Sequence, residues 1–331
     1  MQRFFPGLAV AFAAAGLSWV IAWLLGPIFP GVSALLVAII LGVVWRNVAP
    51  VPWSFNPGLA VAAKPILRLG IVLLGFQLSL TQIFALGWPV IVVICAAVVV
   101  TFSLTVALGR LLHIPTKLTL LIASGFSICG AAAVAGADSV LRPKKEHSAT
   151  ALGLVVLNGT LMIAVMPVLF ALFSPDPVTA GVWTGAAVHE VAQVVAVGQN
   201  LGDEGLQVAV TVKLGRVLLL ALVLAVLAMY MRTSHTTAES TGAKRPPLVP
   251  LFVVGFAAAM LLRTFEVVPE ALLDAAAILQ TIMLTAAMFA LGMGVHLKSL
   301  LQVGGKPVIL SVLSTVVVTV IGGLGAFWAT Q

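Results

Sequence analysis

Ser124-Gly-Phe-Ser-Ile-Cys-Gly-Ala-Ala-Ala-Val-Ala-Gly136 and Thr184-Gly-Ala-Ala-Val-His-Glu-Val-Ala-Gln-Val-Val-Ala196 echo each other: rows of small residues inside apolar sequence. The second stretch carries His189 and Glu190. A charged side chain at mid-bilayer costs roughly 3 kcal/mol on insertion scales, and a chain that keeps one there usually keeps it for a site. How these two stretches sit in the membrane decides the fold.

Their surroundings leave little choice of class. Of 331 residues 61% are hydrophobic and 8% charged, and the mean hydropathy is +1.20, which excludes a soluble domain of this length. The apolar runs are about 17 to 27 residues long, enough to cross a hydrocarbon layer of about 30 Å as helices. The segments of about ten alternating residues that a barrel needs are missing. The sequence therefore predicts an all-α integral membrane protein, a polytopic helical bundle of about 9-11 membrane segments forming a single transmembrane domain over 1-331. Candidate segments run over 7-25, 32-49, 62-80, 88-112, 118-140, 147-173, 178-200, 206-231, 248-264, 271-297 and 306-329. The first reads as a transmembrane helix rather than a cleaved signal. The break from Met231 to Pro247 reads as an exposed loop within the one domain.

The formal charge of +7 does not point to nucleic acid, because the basic residues are scattered between apolar runs and serve orientation. If all eleven segments cross, the clusters Arg110/Lys117 and Arg142/Lys144/Lys145 fall on opposite faces. If 118-140 and 178-200 instead enter and return, all but Lys213, Arg216 and Arg263 of the 17 Lys and Arg share one face. The two would then enter from opposite sides, since 147-173 crosses once between them, and would meet near the midplane as in inverted-repeat transporters. Interrupted, fully crossing helices are the alternative. A second echo, Leu74-Gly-Phe-Gln-Leu-Ser-Leu80 with Met293-Gly-Val-His-Leu-Lys-Ser299, precedes a Pro-led helix in both copies (Trp88-Pro89; Lys306-Pro307). The two echoes do not follow one tandem order.

Several residues in these segments can carry chemistry. Gly125 to Gly130, with Ser124, Ser127 and Cys129, allow close backbone approach where a helix begins or breaks, and helix N-termini suit anions. His189 and Glu190 form a protonatable pair, with Gln193 placed beside either. A zinc-protease reading fails, because Gln193 stands where the second His of H-E-x-x-H belongs. Lys213 and Arg216, three apart on one helix face, offer either a positive site for an anion, a counter-charge to Glu190, or side chains reaching for the interface. Asn158, Asp138, Gln77 and His296 are weaker candidates. Cys95 and Cys129 match no disulfide or metal spacing, the five His residues show no metal pattern, and no phosphate-binding loop is present.

From about Leu35 to Phe327 the chain resembles the YeiH-type family of bacterial inner-membrane proteins, which carries a sulfate-exporter label. The resemblance rests on Gly125-Phe-Ser-Ile-Cys-Gly-Ala-Ala132, on Gly181-Val-Trp-Thr-Gly-Ala-Ala-Val-His-Glu-Val-Ala-Gln-Val-Val-Ala-Val-Gly198 and on Val212-Lys-Leu-Gly-Arg-Val217. Phe126 stands where that family usually has Thr, Ala132 and Ala187 where it has Ser, and Glu190 where it has Asp. Glu190 keeps the carboxylate, whereas the lost hydroxyls leave Ser124, Ser127 and Thr184. The family looks like a distant relative of the sodium/proton antiporter and bile-acid symporter superfamily, which implies inverted repeats and discontinuous helices.

Taken together, residues and resemblance imply a secondary active transporter in a bacterial inner (plasma) membrane, multi-pass, and not an enzyme. A small inorganic or organic anion, sulfate-like, is expected to meet Ser124, Gly125, Ser127, Cys129, Gly130, Thr184, Gln193, Lys213 and Arg216. His189 and Glu190 are expected to carry a coupled H+ or Na+. The alternative is a cation/proton antiporter with Glu190 as the carboxylate. No cofactor, metal or nucleic acid is expected; lipid is, and a homodimer is compatible with the sequence.

Overall fold

Helices build the architecture, with no strand among the described residues. The structure, a computed structural model, describes residues 3–26, 32, 34–233, 251–294 and 304–331. The expected loop around Lys244 and Arg245, and most of the second copy of the second echo, with His296 and Lys298, lie outside them. In chain order the helices are α1 (Phe5–Leu25), α2 (Ala34–Val48), α3 (Asn56–Val61), α4 (Leu67–Leu74), α5 (Leu80–Ala85), α6 (Trp88–Leu111), α7 (Thr116–Ser127) and α8 (Ala131–Leu141). They continue with α9 (Lys145–Phe173), α10 (Pro177–Ala187), α11 (Val191–Gly198), α12 (Gly202–Leu218), α13 (Leu220–Thr233), α14 (Leu251–Thr264), α15 (Glu270–Gly292) and α16 (Gly305–Ala329).

Seven stretches are long and apolar enough to cross a membrane, and α14 and the Val37–Val48 part of α2 are shorter apolar helices. One of the seven, Trp53–Gln77, begins well ahead of the 62-80 segment expected from the sequence. Pro65 lies inside it, where a wide turn over Ala62–Ile66 accommodates the ring and the missing N–H. The chain therefore reads as interrupted where the helix is continuous.

Both echoing segments are re-entrant hairpins. Lys117, in the first turn of α7, donates from Nζ to the carbonyl of Arg142, which ends α8, at 3.2 Å. Two arms spanning about 25 residues end to end would hold those ends roughly 35 Å apart if they ran on in one direction. In the second hairpin, a Cβ added to Gly205 would lie 2.8 Å from the Pro177 carbonyl that opens α10 and 2.6 Å from Leu201 Cβ, just past α11. Chain going in and chain coming out thus meet at one point. Since the 29-residue α9 runs between the hairpins, they enter from opposite faces, and interrupted crossing helices are excluded.

The helices around the hairpins have an inverted arrangement. α6 lies along α7 as α16 lies along α10. α6 and α16 run antiparallel, joined by a Thr105 to Ser314 hydrogen bond of 2.9 Å, and the Trp183 indole of α10 donates to the Thr319 carbonyl of α16 at 2.8 Å. Gly87 and Gly304, which open the two Pro-led helices, both have φ of 85°. Only glycine takes that backbone readily, and it marks the second echo as structural.

Candidate functional site

Each hairpin breaks at its tip, and a broken helix leaves carbonyls at one end and amides at the other without partners. At the C-terminal end of α7 and α10 the free carbonyls are met by two side chains of α12. Lys213 Nζ donates to Ile128 O at 2.8 Å and to Val188 O at 2.7 Å. The Arg216 guanidinium donates from Nη1 to Ala186 O at 2.6 Å and Gly185 O at 3.1 Å, and from Nη2 to Ser127 O at 2.8 Å and Phe126 O at 3.1 Å. Both residues are fully buried, so neither reaches for the interface. A helix C-terminus carries about half a negative charge, which is what these two cations neutralise.

α12 reaches the tips because glycines let it lie against α10. A Cβ on Gly181 would sit 2.6 Å from Gly205 O, and one on Gly185 would sit 2.5 Å from Ala209 O. The two helices run parallel from the same face, so Lys213 and Arg216 arrive level with Val188.

Glu190 serves the opposite ends. His189 and Glu190 are not helical: Glu190 is extended at φ −118° and ψ 149°, and begins α11 as its N-cap. Its Oε1 accepts from the Ala131 N–H, the first amide of α8, at 3.1 Å. Gln193 Oε1 accepts from the Glu190 N–H at 3.1 Å, so Gln193 reaches back along its own helix. Gly130, at φ 72°, is what lets the Glu190 chain pass, since a Cβ there would collide with Glu190 Cγ.

The remaining sequence candidates separate into groups. The hydroxyls of Ser124, Ser127 and Thr184 each donate to the carbonyl four residues back, Leu120, Ala123 and Ala180. His189 stacks edge-on against Phe126, with ring centroids 4.7 Å apart, and its Nε2 lies 3.0 Å from Thr315 Oγ1 of α16. The Thr315 hydroxyl donates to Ser311 O, so it accepts from His189 Nε2–H, which assigns the tautomer and leaves Nδ1 as an acceptor. His189 Nδ1 and Gln193 Nε2 are buried without a hydrogen-bond partner among the described residues. Asn158 joins α9 to α16 through Ser311 at 3.1 Å, and Gln77 pairs with Gln280 between α15 and the end of the Trp53–Gln77 span. Asp138 pairs with Lys64 at 3.3 Å and accepts from Ser148 at 2.5 Å, on the basic face.

A cavity of about 50 Å³ touches the tips, bounded by Cys129, Ala132 and Glu190 on the hairpin side and by Ile71, Leu284 and Met288 on the other. Ile71 also borders a space of about 90 Å³ beside Asp138 and Lys64. That space shares both residues with a wide opening of about 1070 Å³ on the basic face, where Arg46, Arg68 and Arg142 also stand. On the other face a recess of about 290 Å³ lies between Gln77 and Gln82 on one side and Asp203 and Gln207 of α12 on the other. Sequence reasoning missed the apolar wall of this cavity, whose residues look the same as lipid-facing ones, and the backbone groups, which no side-chain pattern announces.

The sequence profile of a family described as conserved hypothetical protein 698 matches residues 6–311. A UPF0324 membrane protein of Corynebacterium glutamicum is 45% identical over 325 residues, which is 98% of this chain and 92% of that one. UPF0324 membrane proteins of Listeria monocytogenes (33% over 323 residues; 97% of this chain and 94% of that one) and Staphylococcus epidermidis (31% over 314 residues; 95% and 93%) are also similar. No solved structure matches the chain.

Proposed function

Because the chain belongs to the conserved hypothetical protein 698 family of membrane proteins, we propose, on the geometry of its hairpin tips, that it is a secondary active transporter of a small anion. The observation that carries this reading is the charge at the tips. Lys213 and Arg216 face two helix C-termini, Glu190 faces two helix N-termini, and each terminus counts for about half a charge. The helix ends cancel, two cations stand against one carboxylate, and about one positive charge is left over inside the membrane. An anion removes that excess; a cation adds to it.

Openings on both faces, with the tips between them, support alternating access. Glu190 and His189 are the groups placed to exchange a coupled proton, and Na+ is the other coupling ion the site would take. Sulfate is one candidate among small anions. The cation/proton antiporter is the second reading, favoured by the Glu190 carboxylate at the cavity and disfavoured by the excess positive charge.

Counterflow of labelled small anions into proteoliposomes tests the proposal. Uptake is expected from the wild-type chain and lost with Glu190→Gln and Lys213→Met combined. Anion uptake left unchanged by that double substitution, or Na+-driven proton flux with no anion requirement, overturns it.

A further inference from the structure

The cavity at the tips has two unlike walls. One holds Cys129, Glu190 and Ala132; the other is built from Leu35 of α2, Leu74 of α4 and Met288 of α15, with Ile71 and Leu284 beside them. A ligand lying between them meets polar groups at one end and hydrocarbon along its body.

The polar end has few donors to give. The Ser124, Ser127 and Thr184 hydroxyls are spent on their own helices, and Lys213 and Arg216 on carbonyls of both tips. What faces the cavity is the start of α8, where the amides of Ala131 and Ala132 lack intrahelical acceptors. Sulfate presents four oxygens and two charges, more than two amides can serve where no water replaces them. A carboxylate presents two oxygens. The group seated on Ala131 N–H in this structure is itself a carboxylate, that of Glu190 at 3.1 Å, on a short methylene chain that Gly130 lets through.

Resting on the anion-transport reading above, we propose that the transported anion is a small monocarboxylate with a short apolar body. Its head group takes the place of the Glu190 carboxylate on the α8 amides, and its body lies against Leu35, Ile71, Leu74, Leu284 and Met288. A water-sized group needs about 10–15 Å³ of such space. A cavity of about 50 Å³ therefore takes a body on the order of three or four carbons. Glu190 acts as a built-in competitor: ligand and side chain hold the same seat in turn.

The test is the thermal stability of the purified full-length protein, in lipid nanodiscs, against sodium salts of formate, acetate, propionate, butyrate, hexanoate and sulfate, since a ligand of the folded state raises the transition. The half-saturating concentration is expected to fall about fourfold per added methylene up to butyrate, by the transfer free energy of a methylene, and to rise again for hexanoate. Leu284→Ala, which enlarges the apolar wall, is expected to move the optimum to a longer chain. Glu190→Ala is expected to tighten binding of every carboxylate. If Glu190→Ala does not fold, the Leu284→Ala shift carries the decision alone. A response to sulfate with none to the carboxylates, or carboxylate binding independent of chain length, overturns the proposed substrate class and leaves anion transport standing. No response to any of these anions counts against the anion reading itself.

Discussion

Glu190 Oε1 sits 3.1 Å from the backbone nitrogen of Ala131, a residue of the other hairpin, so the two re-entrant segments meet through a carboxylate and a helix start. The contact depends on backbone shape as much as on charge. Gly130 holds φ 72° immediately before Ala131, a conformation that costs another residue on the order of 1–3 kcal/mol. Gly130→Ala is therefore expected to lower the unfolding temperature and to displace the Glu190 chain, abolishing anion uptake. Stability and uptake both at wild-type level would contradict the arrangement.

Arg216 is the larger structural commitment. Removing it strands carbonyls of Phe126, Ser127, Gly185 and Ala186 inside the protein. A buried acceptor left without its hydrogen bond typically costs about 1–3 kcal/mol, so Arg216→Met should unfold many degrees below wild type in detergent. Arg216→Lys, which keeps the charge without the planar fork, should fall between them. Equal stability of all three would mean that the guanidinium is not holding the tips.

Cys129 reports on access to the tips. It borders the cavity beside Glu190, whereas Cys95 is exposed on α6. In a Cys95→Ser background, a small membrane-permeant maleimide should label Cys129 slowly, and a bound anion should slow it further. Mass spectrometry of the intact chain reads both rates. Labelling that ignores every anion tested would place the ligand elsewhere.

Asp176, outside the membrane-spanning stretches, caps α10. Its side chain accepts from the Thr179 hydroxyl at 2.5 Å and from the Val178 and Thr179 amides at 3.0 and 3.1 Å. The Thr179 hydroxyl, with the amides behind it, holds its carboxyl below the usual range. A depressed folded-state value contributes stability that is present above the unfolded value, about pH 4, and lost as pH falls through the lower folded one. At neutral pH Asp176→Ala should cost about 1 kcal/mol, the ordinary worth of an N-cap. Thermal unfolding of wild type and variant should converge once Asp176 is protonated; a gap unchanged by acid would assign the loss to something other than the cap.

The hairpins were legible because Lys and Arg keep to one face, and Lys117 and Arg142 could share a face only if 118-140 turned back. Lys213 and Arg216 stood out for the same reason, as exceptions to that rule. Their partners did not, because carbonyl oxygens of Ile128 or Val188 have no sequence signature. His189 and Glu190 stand in a stretch that reads as helix but lie outside it, with Glu190 extended, since a break at Val188 falls among residues that all tolerate a helix. The inverted arrangement of α6 and α16 was visible in the Pro-led echo, and Gly87 and Gly304 confirm it with the same φ. Leu35, Ile71 and Met288 could not be told from lipid-facing positions, because both environments select the same side chains.

The glycine contact between α10 and α12 fixes how stiffness is distributed. With Gly181 and Gly185 against neighbouring backbone, and Lys213 and Arg216 fastened to both tips, that assembly can shift only as a block. Its boundary with Leu74, Leu284 and Met288 is apolar on their side, where attraction is non-directional and one contact replaces another at little loss; Glu190 faces it, and the Lys64–Asp138 pair crosses it at the basic face. The molecule therefore has a natural shear plane, and motion along it would carry Glu190 and its seat past the apolar wall without disturbing a single bond at the tips.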